Sequence, residues 1–173
     1  MLKKSFPFYK QPDSKDCGPT CLKIIAKHYG KTLNIQTLRS VSETTREGSN
    51  LLTLSEAAEK IGFRTLGVKL SIKKLEEAPL PCILHWNNNH YVVLYKATKN
   101  KFYVSDPAHG LLEYNEEDFL KFWIGNNATT ETEEGIALLL EPTPNFYKNE
   151  WNSEDKKEFG FALLTKYIIP YKS

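Results

Sequence analysis

Gln11-Pro-Asp-Ser-Lys-Asp-Cys-Gly-Pro-Thr-Cys-Leu-Lys-Ile-Ile-Ala-Lys-His-Tyr29 changes character at Cys17: a polar, turn-rich approach gives way to an apolar-periodic segment. The change is a helix start. Asp16 is a good N-cap residue type, Pro19 is tolerated only in a first turn, and Leu22, Ile24, Ile25 and Tyr29 form a buried stripe. Cys17 therefore stands in the first turn or one residue before it. The unpaired N–H groups and the positive end of the helix dipole favour an anion there, and hence a thiolate. Gly18 is expected to leave the sulfur open to approach.

A nucleophilic thiolate needs a group that takes and returns a proton. The chain has four histidines. His28 lies on the same helix, ~16 Å further along its axis and out of reach. His85 and His90 bracket the turn Trp86-Asn87-Asn88-Asn89 between two strand-like runs, and His109 follows Asp106-Pro107-Ala108 in a loop. His90 is the best candidate, because it opens the run Tyr91-Val92-Val93-Leu94-Tyr95 at a strand end, with His85 as its competitor. After a turn at 97–101 the strand Phe102 to Ser105 ends in Asp106. Antiparallel pairing brings that end back beside the start of the His90 strand, so Asp106 is expected to orient the imidazole.

In order along the chain, Met1 to Lys10 is an arm whose Phe6, Phe8 and Tyr9 should pack on the domain, and Gly30 ends the Cys17 helix. Short helices are predicted at Asn34 to Val41 and Ile72 to Glu76. A longer one, Leu51 to Ile61, is capped by Ser49 or Asn50 after a polar loop, Thr44 to Asn50. Strands are predicted at Phe63–Lys69, Cys82–Trp86, His90–Tyr95, Phe102–Ser105, Gly110–Tyr114 and Gly135–Glu141, with a helix Glu116–Trp123 capped by Asn115. Helices first and an antiparallel sheet second make an α+β fold.

Length and charge narrow the function. With 173 residues, 40% of them hydrophobic, the chain holds one sizeable core. Its 23 basic and 21 acidic residues leave +2 without a basic block, so nucleic acid is not an expected partner. Three cysteines and no signal-peptide pattern argue for free thiols in a reducing compartment. Cys17 and Cys21 share a helix face, but no second ligand pair with zinc spacing accompanies them, so no metal is expected; Cys21 and Cys82 read as core.

Gln11, Asp16-Cys-Gly-Pro-Thr-Cys21, His90-Tyr-Val-Val93 and Val104-Ser-Asp-Pro107 together resemble the papain-like peptidase domain of peptidase-containing ABC transporters, which cut double-glycine leaders from bacteriocins and related peptides. The resemblance runs from about Phe8 to about Glu141 and takes in Thr44-Thr-Arg-Glu-Gly48 and Ala57-Ala-Glu-Lys-Ile-Gly-Phe63; Thr20 stands where many members carry a smaller residue. It implies a papain-like cysteine protease in which an N-terminal helical half packs on an antiparallel sheet half. Cys17 would be the nucleophile, His90 the proton shuttle, Asp106 its orienting acid, and Gln11, six residues before Cys17, an oxyanion donor.

The implied substrate is a precursor peptide with a double-glycine-type leader, read as an amphipathic helix whose two small residues thread a slot narrowed by Trp86 or another aromatic. Part of the Leu51–Ile61 helix lines the groove, or all its apolar residues are core. Residues 1–142 would be the peptidase domain, and 143–173 a linker leading to a transmembrane domain absent from this chain, or else a C-terminal helix folding back. The implied partners are the transmembrane and nucleotide-binding domains of the same exporter, homodimeric at full length, with this domain on the cytoplasmic side of the bacterial plasma membrane. No cofactor is expected in this domain. ATP would bind only elsewhere, since the chain has no Gly-x-x-x-x-Gly-Lys loop. Two other functions remain open: a leader-binding relative that does not cut, against which the presence of Cys17 counts, and a papain-like amidase or transferase.

Overall fold

The computed structural model describes residues 4–42, 48–125 and 133–148. Residues 43–47, which overlap the expected Thr44–Asn50 loop, and the segment after 148 lie outside the described residues. A 3-10 turn, Ser14–Asp16, leads into α1 (Cys17–His28), followed by α2 (Ile35–Val41) and α3 (Leu51–Lys60). Then come β1 (Phe63–Leu70), α4 (Ile72–Glu77), β2 (Cys82–Trp86), β3 (His90–Ala97), β4 (Lys101–Asp106) and β5 (Gly110–Asn115), and finally α5 (Glu116–Trp123), β6 (Gly135–Pro142) and α6 (Pro144–Lys148). This is the expected α+β arrangement, with helices preceding an antiparallel sheet.

The sheet has the order β1-β6-β2-β3-β4-β5, and every neighbouring pair is antiparallel. Its central strands read as nearly unbroken apolar runs because both faces are covered. Ile83, Tyr91, Val93 and Leu138 pack with Leu22, Ile25, Leu54 and Ala58 from the N-terminal helices. On the other face Leu84, Val92, Leu94 and Val104 pack with Phe119 and Trp123 of α5. Strand β3 thus alternates between two cores, which leaves its residues little freedom to slip in register.

Local signals account for most element ends. Asn34, Asn50, Ser71 and Asn115 each accept a first-turn N–H, and Asn50 forms a reciprocal box with Thr53. Gly30 (φ +98°) follows α1 and Gly62 (φ +109°) follows α3, the left-handed conformation that only glycine adopts without strain.

The Asp16 expectation needs correction. Asp16 stands at the N-cap position of α1 but makes no capping bond to that helix; its carboxylate accepts the Asp13 N–H of the preceding turn and faces Arg39 of α2. A carboxylate only 2% exposed is better served by a guanidinium than by one backbone N–H. Gly18 is also different from expectation. A Cβ there would stand 3.1 Å from Ser49 Cβ and 3.3 Å from Leu54 Cδ1, so this glycine permits close packing rather than access to the sulfur.

The N-terminal arm is held by Phe6 stacked on Tyr95 (4.2 Å between centroids), by Lys23 over the Tyr9 ring and by Ser105 Oγ donating to the Pro7 carbonyl at 3.0 Å. Phe8 remains exposed. Beyond Pro142, Thr143 donates from both N–H and Oγ1 to the Gly62 carbonyl, and Phe146 is 1% exposed within the helix-side core.

Gly62 and Gly30 share a backbone conformation but not an environment. A methyl on Gly62 would overlap the Phe146 backbone, whereas one on Gly30 meets nothing within 4 Å. Gly62→Ala should cost about 3 kcal/mol or more, combining left-handed strain with overpacking, and Gly30→Ala only about 1–2 kcal/mol. Urea unfolding of the two variants is the check, with the difference between them as the informative quantity.

Candidate active site

The site forms where the start of α1 meets the ends of β3 and β4. Asn87 and Asn88 take left-handed conformations (φ +49° and +64°), which asparagine tolerates better than most residues, and this tight turn pairs Trp86 with His90. The Asn87 N–H donates to the Phe122 carbonyl at 2.7 Å, tying the turn to α5. Ser105 pairs with Val93, so Asp106 lies one step beyond that pair and near the start of β3.

The expected histidine and acid are in contact: His90 Nε2 and Asp106 Oδ1 are 2.7 Å apart. Asp106 is 2% exposed and also accepts the Ala108 N–H at 2.8 Å. Cys17 adjoins the same ring, its hydrogen bond and charge being among the influences that raise the His90 pKa. With Nε2 held by the carboxylate, Nδ1 is the nitrogen left for the sulfur, a fixed division of labour between the two edges of the ring.

Electrostatics agree with this geometry. Burial alone would lower the His90 pKa, but the hydrogen bonds to Asp106 and Cys17 and their negative charges outweigh it and raise it to about 9. Burial opposes ionisation of Asp106, yet the His90 hydrogen bond, the Ala108 N–H and the imidazolium charge hold its carboxyl below the ordinary value. Burial pushes the Cys21 thiol well up and Cys82 to about 12. Both behave as core residues, as expected, and neither supplies a thiolate near neutral pH.

Gln11 sits on the same rim. Its backbone N–H donates to the Pro107 carbonyl at 2.9 Å and its Nε2 to the Asp13 carbonyl at 3.1 Å, while Oε1 is buried without a hydrogen-bond partner among the described residues. Gln11, His90 and Asp106 line one open cleft of about 720 Å³, with Trp86, Leu112, Tyr114 and Phe122 as its apolar wall. Trp86 stacks on Phe122 at 5.6 Å. Cys17, 6% exposed, lies beneath this surface and does not contribute to the lining.

The remaining histidines separate clearly. His28 stacks near Phe6, far along α1, and His85 packs on Tyr91 rather than on an acid. His109, which sequence reasoning left in a loop without a role, places Nδ1 3.1 Å from Asp106 Oδ2 and is otherwise exposed. Its signal was the Asp-Pro-Ala-His spacing, a turn that folds the ring back over the acid. On α3, Leu54, Ala57 and Ala58 are core, as is its C-cap Ile61; Leu51 is half-buried and Leu52 is exposed, as is Leu66 on β1.

A helix-borne cysteine beside a strand-borne imidazole, itself held by a buried carboxylate, defines a papain-like cysteine peptidase. The Peptidase C39 family profile matches residues 5–135, and the chain belongs to that family. It is 36% identical over 163 residues to the lactococcin-G-processing and transport ATP-binding protein LagD of Lactococcus lactis subsp. lactis, covering 90% of this chain and 22% of that protein. It is 31% identical to the colicin V secretion/processing ATP-binding protein CvaB of Escherichia coli, covering 69% of this chain and 17% of that protein. The chain thus spans about a fifth of the length of these relatives. A double glycine motif protease from an AMS/PCAT transporter, solved with its leader peptide, superposes with a TM-score of 0.71 at 30% identity, over 80% of this chain and 93% of that one. The peptidase domain of Streptococcus ComA gives 0.67 at 28% identity, over 80% and 100%.

His90 holds its proton to about 9 in the folded chain against an ordinary 6.5. This contribution to stability is complete below pH 6.5 and lost as pH rises through about 9. Asp106 has the opposite sign: its contribution is present above the ordinary value of 3.8 and lost as pH falls through its lower folded value. The thermal midpoint should therefore decline between pH 6.5 and 9, and the decline should largely vanish in His90→Gln. An NMR titration of the His90 ring should show a midpoint near 9 that drops in Asp106→Asn.

Proposed function

We propose that this chain is the leader peptidase of a peptide exporter, cutting precursors after the second residue of a Gly-Gly or Gly-Ala pair. The observation that carries the reading is the 2.7 Å His90–Asp106 pair with the Cys17 sulfur beside the ring at a helix start. Support for the substrate comes from relatives that process bacteriocins and from a similar protease solved with a leader peptide.

In the proposed reaction the Cys17 thiolate attacks the carbonyl carbon of the second small residue, forming a C–S bond as the carbonyl becomes an oxyanion. The Cys17 N–H and the second Nε2 proton of Gln11 donate to that oxyanion; a first-turn N–H has no intrahelical acceptor, and only one Gln11 amide proton is taken up by Asp13. Collapse breaks the C–N bond, and the imidazolium of His90 gives its proton to the leaving amine. Water, losing a proton to His90, then hydrolyses the thioester and releases the leader carboxylate. Asp106 stabilises the imidazolium throughout and keeps Nδ1 toward the sulfur.

The leader helix is proposed to lie against exposed apolar side chains such as Leu52 and Leu66, with Trp86 restricting the residues next to the cut. Residues 1–142 are taken as the peptidase domain and 143–173 as the connection to a membrane-embedded exporter, a connection whose first residues, through Phe146, pack back on the domain. Among the described residues no helix is long and apolar enough to cross a membrane. The reading extends to transmembrane and nucleotide-binding partners in the same exporter, homodimeric at full length, with ATP used outside this domain and the domain on the cytoplasmic face; relatives named as processing and transport ATP-binding proteins support it.

Incubation with a precursor peptide whose leader ends in Gly-Gly should give cleavage after the second glycine, and Cys17→Ala should abolish it. Gln11→Ala should lower kcat by ~10²–10³ with little change in KM, because its donor acts on charge present only in the transition state. Mass spectrometry of the products and steady-state kinetics are the checks. Tight binding by the wild type without cleavage would mean a leader-binding domain instead, and transfer of the leader to an added amine in place of hydrolysis would mean a transferase.

A further inference from the structure

Immediately before Cys17 lies a charge that the proposed chemistry does not use. Asp16 is 2% exposed, and its carboxylate takes a two-pronged contact from Arg39 of α2, with Nε 2.7 Å from Oδ1 and Nη2 on Oδ2. The same Oδ2 accepts the Asp13 N–H at 3.0 Å. The Asp13 carbonyl in turn accepts both the Asp16 N–H at 3.0 Å and Gln11 Nε2 at 3.1 Å. Gln11 closes the series through its own N–H to the Pro107 carbonyl, next to Asp106. The polar bonds that set the Gln11 side chain therefore trace back through Asp13 and Asp16 to one guanidinium on another helix.

We propose that Arg39 is a positioning residue: through Asp16 it holds segment 11–16 so that the Gln11 amide and the Cys17 N–H converge on the developing oxyanion. The proposal rests on the oxyanion roles given above to Gln11 and Cys17. An ion pair of a buried acid with a partly exposed guanidinium adds little stability on balance, since desolvation of the acid and solvent screening offset most of the attraction. Its use here is geometric. A planar fork with two parallel bonds fixes the direction of the carboxylate, which a lysine ammonium, a freely rotating point charge, does not. Asp16 gives up the capping bond that its position offers in order to be held this way.

The test exploits a reaction of the same sulfur that builds no oxyanion. In the 173-residue chain, Arg39→Lys keeps the charge and loses the fork. Hydrolysis of the Gly-Gly precursor should fall about tenfold or more in kcat with KM within about twofold, as misaligned donors require. Alkylation of Cys17 by iodoacetamide, read at its high-pH plateau, should stay within about twofold of wild type. Asp16→Asn combined with Arg39→Gln, which leaves no buried charge, is the second variant should lysine impair folding, and the same split is expected of it. A folded variant with unchanged kcat, or one in which hydrolysis and alkylation fall together, overturns the proposal. A wild type that cleaves beside Arg39 variants that cleave equally removes this positioning role alone. A wild type that alkylates but cleaves no precursor removes the leader-peptidase reading and the proposal with it.

Discussion

The contact between His90 and Asp106 organises the rest of the molecule, because a buried carboxylate needs an adjacent positive charge and a buried imidazolium needs an adjacent negative one. Neither group would remain ionised alone at that depth. Together they hold a proton on the ring to about pH 9. The two residues come from neighbouring strands, so the pair also depends on the register of β3 and β4. That register is kept by alternating apolar residues between two cores, and α5 and the N-terminal helices exist, in structural terms, to cover those cores.

The same logic shapes the approach to the nucleophile. Segment 11–16 is short and polar, with little apolar surface to hold it, and an oxyanion donor on such a segment would be loose. Here it is tied at both ends: to the loop after β4 through Gln11 and Pro107, and to α2 through Asp16 and Arg39. Cys17, continuous with it, enters α1 at a fixed angle, and Gly18 lets that first turn settle against Ser49 and Leu54. Cys17 is thus buried beside the cleft rather than in its lining, with Gln11, His90 and Asp106 forming the visible rim.

Much of the fold was legible in the chain because its boundaries are local. Asn50 and Asn115 cap the helices expected of them, Gly30 and Gly62 follow helices, and the asparagine run at 87–89 makes the hairpin that aims His90. Departures occurred where a local preference met a distant partner. Asp16 looked like a cap because residue type and position say so; it became half of an ion pair because Arg39, on another helix, brings a full charge. Gly18 looked like an opening and proved to be a contact. His109 carried no periodic signal, since its place over Asp106 comes from a turn rather than from a strand or helix.

By itself the sequence determined the helix start that bears Cys17, the strand starts and stops that bear His90 and Asp106, and the pairing of those two strands, all governed by interactions within a few residues or one hairpin. Only the tertiary structure decided that β6 inserts between β1 and β2, that α3 divides into core and exposed apolar side chains, that Phe146 joins the core under Gly62, and that Arg39 reaches Asp16. Those outcomes depend on which surfaces meet after the chain has closed on itself. Residue type and spacing carry no record of such encounters, because the energy that selects them is shared among partners far apart in sequence.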